Sequence, residues 1–480
     1  MNFKVKQNPI KTIFLLVSAI LLCLTTVAQS SDDDILHLKK QIKEFEKRIS
    51  DMEEQNKTNA PNKSTRRKLF EYHGYMRTGA GVNAEGGDQE VYQAPGASAK
   101  YRLGNENDHY GEFALVNNWL PNNQNHSAFF KTYLMVSYGS KQNANTDETH
   151  WFKIPQAYVQ AGNVISSMPE IKFWAGNRYY RRHDIHMNDY FYLNMSGHGG
   201  GVEDINIGIG KLAIAYLVGS NESENESDDP KPYYKLENVG RIAKNSIDIR
   251  LYDIDLPFGS GIFQICPSWV KGGYYEIKET DGKIVRQKFD DTRGVGVSFF
   301  YKIDEFLGGT VKCGLQAGTG SGYDFSSHIN FKNPDGDIDV NDKRTYRLIN
   351  EFAIKPLKKF SMMSAFIYEK RDTGAQIDSE ETWVSFGVRP IIHFTDYISL
   401  AFEGGIDWTD IEKTDISGSL IKFTVAPQIQ VPGNSWARPV LRAFATFASW
   451  SDEFEGKIAS DAYGKDTSGL SLGIQLESWW

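Results

Sequence analysis

The stretch NRYYRRHDIHMNDYFY, residues 177–192, packs three arginines, two histidines, two aspartates and five aromatics into sixteen residues. Such a run suits a metal site, a catalytic cluster, a nucleic-acid patch or the lining of a pore. His183 and His186 stand at i, i+3, which suits two imidazoles on one helix face. No third ligand motif accompanies them, and hydrogen-bonding histidines beside carboxylates are the plainer reading. Asp184 and Asp189, with Glu112, supply carboxylates of the kind a glycosidase pairs. The arginines and tyrosines could track a phosphate backbone. The net charge of −8 argues against that, because nucleic-acid binders carry a basic footprint.

Two other fragments imitate a serine hydrolase: GHGGG at 197–201 an oxyanion-hole turn, and GLSLG at 469–473 a nucleophile elbow. The hydrolase order needs a histidine after the serine. Only seven residues follow Gly473 and none is histidine. The acidic run NPDGDIDVND at 333–342 clusters oxygens like a calcium loop, but lacks the twelve-residue pattern and its closing glutamate. It reads as a solvated acidic loop, with calcium as the alternative. The expectation is therefore a non-enzyme without a resident metal or cofactor.

The elements that carry these residues decide between the readings. Lys4, Lys6 and Lys11 precede the twelve-residue apolar run IFLLVSAILLCL, and small residues follow in TTVAQ. That is a secretory signal peptide over residues 1–28. Cys23 follows the bulky Leu22, which disfavours a lipoprotein site. Export leaves Cys266 and Cys313, and nothing in the sequence decides whether they pair. Over 32–57, Ile35, Leu38, Ile42, Phe45, Ile49 and Met52 recur at alternating spacings of 3 and 4. This a/d pattern predicts a coiled coil, with Asp32, Asp33 and Asp34 at the positive end of the helix dipole. Residues 58–68 are a polar linker.

From Leu69 to Trp480 the period changes to two. Phe70, Tyr72 and Met76 fall on one face; Glu71, His73, Tyr75 and Arg77 fall on the other. INIGIGKLAIAYL reads as a hairpin turning at Gly210-Lys211, with Ile205, Ile207 and Ile209 on its first strand. At the C-terminus, Leu470, Leu472, Ile474 and Leu476 oppose Ser471, Gly473, Gln475, Glu477 and Trp479. Apolar-out, polar-in alternation that ends on an aromatic residue marks an outer-membrane barrel strand. The length from Leu69 suits roughly 16–18 tilted strands of about ten residues each. GSNESENESDDPKP and NPDGDIDVNDK would be external loops.

The motifs EYHGYMRTG, KYRLGNENDHYGEF, FWAGNRYYRRHDIHMNDYFY, SGHGGGVEDI, SWARPVLRAFATFASW and ESWW resemble those of the maltoporin family. The resemblance is dense over about 69–217 and 384–480 and thin between. The leading coiled coil is similar to that of sucrose porins in the same family. The resemblance implies an all-β, 18-stranded antiparallel transmembrane barrel, a homotrimer set in outer-membrane lipid, with an inward-folded third loop at the constriction. It implies facilitated diffusion of oligosaccharides, maltose and maltodextrins or alternatively sucrose and a broader range. A non-transporting adhesin or receptor barrel is a further alternative. The N-terminal extension would be periplasmic, meeting peptidoglycan or a sugar-binding protein; no nucleic acid is expected.

Carried over by residue, Tyr75, Tyr110, Trp436 and Trp479 match the family's aromatic slide, and Phe306 matches across a gap. Arg77, Arg102, Glu112, Arg182, Asp184 and Asp189 match its polar track. Strand parity independently puts Tyr75 with Arg77, and Tyr110 with Glu112. Trp436, Arg438 and Arg442 also share a parity. There are departures. Phe191 stands at the constriction where the family has tyrosine. Pro155 replaces a track arginine, and Val91 and Asn107 replace a cysteine pair. A slide tryptophan that the family takes from a neighbouring subunit has only Trp151, four residues away, as its counterpart.

Overall fold

In the computed structural model, residues 69–120, 128–142, 150–220, 243–278, 283–328 and 340–480 are described. The signal peptide, coiled coil and linker lie outside these residues, as do most of both acidic loop runs. The strands that form the barrel are β1 (Phe70–Asn83), β2 (Asp108–Asn118), β3 (Phe129–Lys141), β4 (Trp151–Gly162), β5 (Lys172–Arg178), β6 (Gly197–Asn206), β7 (Lys211–Ser220), β8 (Ala243–Leu256) and β9 (Gly259–Val270). They continue as β10 (Thr292–Phe306), β11 (Gly309–Thr319), β12 (Arg344–Leu357), β13 (Phe360–Asp372), β14 (Glu380–His393), β15 (Ile398–Ile411), β16 (Ile416–Gln430), β17 (Val440–Trp450) and β18 (Ser468–Trp479).

Each strand pairs antiparallel with its predecessor, and β18 pairs with β1 from Tyr75↔Trp479 to Asn83↔Ser471. The result is a closed eighteen-stranded barrel. Closure leaves no sheet edge, which is what permits strands to cross a bilayer. The alternation read from the sequence is the alternation of its two faces. Along β17, Arg442, Phe444, Thr446 and Ala448 are buried inside, while Leu441 and Phe447 are about half exposed on the outer wall.

One local reading is revised. The hairpin over 205–216 turns at Ile207–Gly210, so Ile207 and Ile209 lie in the turn, at 46% and 66% exposure, and not on a strand. Their alternation with glycine imitates a strand, but the glycines there adopt positive φ, the hallmark of a turn. Cys266 and Cys313 are unbonded thiols on β9 and β11, with β10 between them. Pro155 sits where the β3–β4 register shifts between Met135 and Ser137. A bulge of this kind is where a strand tolerates proline.

The lumen is partly filled by chain folded inward from the loop end, the end away from the termini. Residues 84–107 return along β14–β17. The Tyr101 ring fills a slot above Gly387 and Gly405, where a Cβ at either position would lie 2.2 Å from the ring. Its hydroxyl shares a 2.8 Å hydrogen bond with Ser385. Lys422 and Thr424 donate to the Leu103 carbonyl at 2.7 and 2.9 Å, and Leu103 N–H donates to Glu403 at 3.0 Å. Residues 179–196, between β5 and β6, fold in as a second segment with a small hairpin, His183–Ile185 against Tyr190–Leu193. Tyr180, Ile185, Met187, Tyr192 and Leu193 are almost wholly buried there, against Phe300 and Trp383 of the wall. Arg347 donates to the Tyr192 carbonyl at 2.7 Å, Arg250 to that of Arg181 at 2.7 Å, and Tyr190 bonds Glu369.

Candidate functional site: the channel lining

Five aromatic rings form a continuous row down the inner wall. Tyr110 lies 5.9 Å from Trp151 and 5.9 Å from Tyr75; Tyr75 lies 6.4 Å from Trp479, and Trp479 lies 6.5 Å from Trp436. Register places four of them. Tyr75 pairs across to Trp479 at the barrel seam, and Arg77 to Tyr110. Tyr110, Gly139 and Trp151 share one rung. The Trp151 ring lies flat over Gly139, where a Cβ would come within 2.4 Å of it. Trp436 arrives differently, on the turn between β16 and β17. That turn folds inward and receives a hydrogen bond from Lys355 of β12 at the Gly433 carbonyl. Phe306 ends β10 beside a tight turn and stands outside this chain of contacts among the described residues. Trp151 belongs to the same chain as the rest of the row.

Beside the row runs a dense charge network. Arg77 pairs with Asp108 at 2.7 Å and Glu106 at 2.9 Å, and approaches Asp189 at 3.6 Å. Arg102 pairs with Glu106 at 2.7 Å, reaches Glu477 at 3.7 Å and donates to the Tyr75 hydroxyl at 2.8 Å. Glu477 collects Arg438 at 2.7 Å, Arg442 at 3.1 Å and His186 at 3.6 Å. Arg438 also lies over the Trp479 ring at 4.4 Å. Burial pushes the Glu106 carboxyl up, but Arg102 and Arg77 outweigh it and hold the group down to about 2. Burial drives His183 and His186 well below the usual imidazole range, so both rings are neutral at pH 7.

Glu112 belongs to a separate cluster. Its Oε1 accepts from Tyr110 at 2.5 Å and Tyr179 at 3.1 Å. Arg182 is sandwiched between Tyr179, 3.5 Å to the ring centre, and Phe191, 4.6 Å. Asp184 lies below, lining a cavity of about 280 Å³ with Lys302, Lys312, Glu351 and Trp436. Burial raises its carboxyl above the ordinary value, which Lys312 partly offsets.

The polar residues named from the sequence therefore fall into three groups: Arg77, Arg102 and Asp189; Glu112 and Arg182; and Asp184. Sequence reading missed Glu106, Asp108, Tyr179, Lys312 and Glu351, and Glu477 as the acceptor at the centre. Parity had put Glu477 on the inner face with Trp479, and a lone carboxylate among inward arginines was the available signal. Lys312 and Glu351 lie in the middle of the chain, where motif density was low.

The LamB porin family model matches residues 70–480. The chain belongs to the LamB porin family. Its barrel is a Gram-negative outer-membrane channel for small solutes. Solved barrels of similar outline include OccD3 (OpdP) of Pseudomonas aeruginosa, at 8% identity over 87% of this chain and 92% of that one, TM-score 0.43. A BenF-like porin from Pseudomonas fluorescens Pf-5 shows 9% identity over 86% and 100%, TM-score 0.46. The channel DcaP of Acinetobacter baumannii shows 12% over 86% and 97%, TM-score 0.44.

Proposed function

We propose that this LamB-family porin conducts maltose and maltodextrins by facilitated diffusion, without covalent chemistry or a cofactor. The observation that carries the reading is the unbroken row Trp151–Tyr110–Tyr75–Trp479–Trp436 flanked by fixed ion pairs. A pyranose presents apolar C–H faces and a rim of hydroxyls. The faces lie on the rings. Each hydroxyl both donates and accepts, so it is served by arginine donors next to carboxylate acceptors. Binding must be repeated and weak enough for exit. The salt bridges hold the polar groups in place before a sugar arrives, so little ordering entropy is lost on binding.

A second reading is a channel for sucrose or a wider range of oligosaccharides. Phe191 favours it: the ring packs on Arg182, yet offers no hydroxyl at the narrowest loop. Sugar block of planar-bilayer ion current separates the two. Titratable block by a glucan series supports the first; block by sucrose alone supports the second. No block by either supports a receptor barrel that transports nothing. In this reading the protein is a homotrimer with the chain termini facing the periplasm. The 32–57 heptads self-associate and contact peptidoglycan or a sugar-binding protein. Unchanged trimer stability and sugar flux after deletion of 32–57 would refute that role.

A further inference from the structure

We propose that the outer wall over β9–β13, near the loop end, is a docking surface for the phosphorylated headgroup of an outer-leaflet lipid. Arg293 and Arg344 are its phosphate ligands, with Trp269, Tyr346 and Tyr368 as the aromatics around them. The surface lies outside the channel, so it does not depend on which sugar passes.

Strand parity makes the surface. Among the described strands, arginine and lysine reach the outer wall near the loop end only at Arg293, Arg344 and Lys370, on β10, β12 and β13. From the loop end towards the barrel middle, the outer face of β12 reads Arg344, Tyr346, Leu348, and that of β13 reads Lys370, Tyr368, Phe366. On β9, Trp269 pairs across to Arg293. Trp269, Tyr346, Leu348 and Tyr368 are all exposed. Cation, aromatic ring and apolar chain thus succeed one another along the wall. That is the order of headgroup, interface and acyl chain in a membrane leaflet.

The two arginines are held close and left open. Only β11 separates their strands, with Thr319 paired to Arg344 on one side and to Val295 on the other. At ~4.8 Å per strand and ~3.3 Å per residue, their Cα atoms stand roughly 12 Å apart. Asn341 accepts from the Arg293 N–H at 3.2 Å and donates to the Asp291 carbonyl at 3.3 Å, so the loop entering β12 is clamped to the start of β10. Three nearby carboxylates are engaged elsewhere: Asp291 by the Gly272 N–H at 2.7 Å, Asp372 by the Gly374 N–H at 3.0 Å, and Glu380 by Lys370 at 2.7 Å. Neither guanidinium makes an ion pair or a side-chain hydrogen bond among the described residues. A planar fork of N–H donors matches phosphate oxygens two at a time. An acidic protein would use the cations but leave the apolar steps below them, at membrane depth, uncovered. An anionic lipid covers both.

The test is binding of diphosphoryl lipid A to the whole porin in a non-ionic polyoxyethylene detergent, counted by native mass spectrometry. The double variant Arg293→Gln/Arg344→Gln should bind it about tenfold more weakly, the worth of one charge-assisted hydrogen bond. Lipid A stripped of its phosphates should bind the unaltered porin as weakly. Inorganic phosphate at the same concentration as the lipid should displace none of it. Lys457→Gln removes a charge from an exposed loop position away from the surface and should leave binding unchanged. Ion conductance in bilayers should match the unaltered porin throughout, which verifies folded barrels. Should the double variant fold poorly, Arg344→Gln alone should weaken binding about threefold. Undiminished binding by the arginine variants overturns the inference. So does an equal loss in Lys457→Gln, equal binding of the stripped lipid, or displacement by inorganic phosphate.

Discussion

Two aromatic rows run side by side in this barrel on opposite faces, and they meet at the adjacent pairs Trp151–Phe152 and Trp479–Trp480. The inner row is Trp151, Tyr110, Tyr75, Trp479 and Trp436. The outer row is Phe152, Tyr138, Phe113, Tyr72 and Trp480, with centroid spacings of 6.4, 5.9, 6.4 and 5.6 Å. Both have similar spacing. What differs is the company each keeps. Arg77, Glu112, Glu477 and Arg438 interleave the inner row. Exposed aliphatics, among them Leu115, Leu134 and Ile474, surround the outer one. Strand parity, together with the inward turn that carries Trp436, makes one set of rings a polar-flanked channel surface and the other a face for lipid or a neighbouring subunit. A one-residue register slip would exchange them.

The largest expected break comes from the charges behind the inner row. Glu477→Ala strands Arg438, Arg442 and Arg102 without their shared acceptor. Breaking a buried pair from one side typically costs about 3 kcal/mol or more. Urea unfolding in detergent should show a loss of that order, together with loss of sugar block. A smaller effect is expected from the outer row. Phe113→Ala should lower stability by about 1 kcal/mol in the same assay, through lost ring contacts, and leave sugar block unchanged. Changed block with unchanged stability would mean that the two faces are misassigned.

The two rows also show what the sequence made legible. Alternation alone sorted Tyr75, Arg77, Tyr110, Glu112 and Trp479 onto the inner face, because a period of two is a local property. The barrel and its eighteen strands followed from that period and from the motifs. The seam pairing of Tyr75 with Trp479 joins residues at opposite ends of the barrel sequence, and it follows once a barrel is inferred. The inward-folded segments were different. Leu103 rests on Lys422, Tyr192 on Arg347, and Tyr101 on a slot cut by two distant glycines. Nothing local to either partner announces such contacts. They decide that Asp189 meets Arg77 while Asp184 faces Lys312, a division that one contiguous motif did not reveal.

Finer predictions sharpen the constriction. Phe191→Tyr restores a phenol beside Arg182 and should tighten glucan block about threefold, the worth of a partly exposed hydrogen bond. A neutral outcome would place the narrowest contact elsewhere, with Tyr179 the next candidate because its hydroxyl already meets Glu112. The smallest effect concerns pH. His183 and His186 are held well below the ordinary imidazole range by burial, so both stay neutral from pH 8 to pH 6. Glu106, held down to about 2, adds stability that is fully present above the ordinary carboxylate value. That stability is lost only as pH falls through about 2. Sugar block should therefore be flat between pH 8 and pH 6. A step near pH 6.5 would show that one of these imidazoles titrates within the channel.

The most direct test of the central claim is Trp479→Ala, read by sugar block and ion conductance in the same bilayer. The account predicts glucan block weakened about tenfold, since one stacking platform is lost from the middle of the row, with ion conductance nearly unchanged. An equal fall in both, or undiminished block, would contradict it.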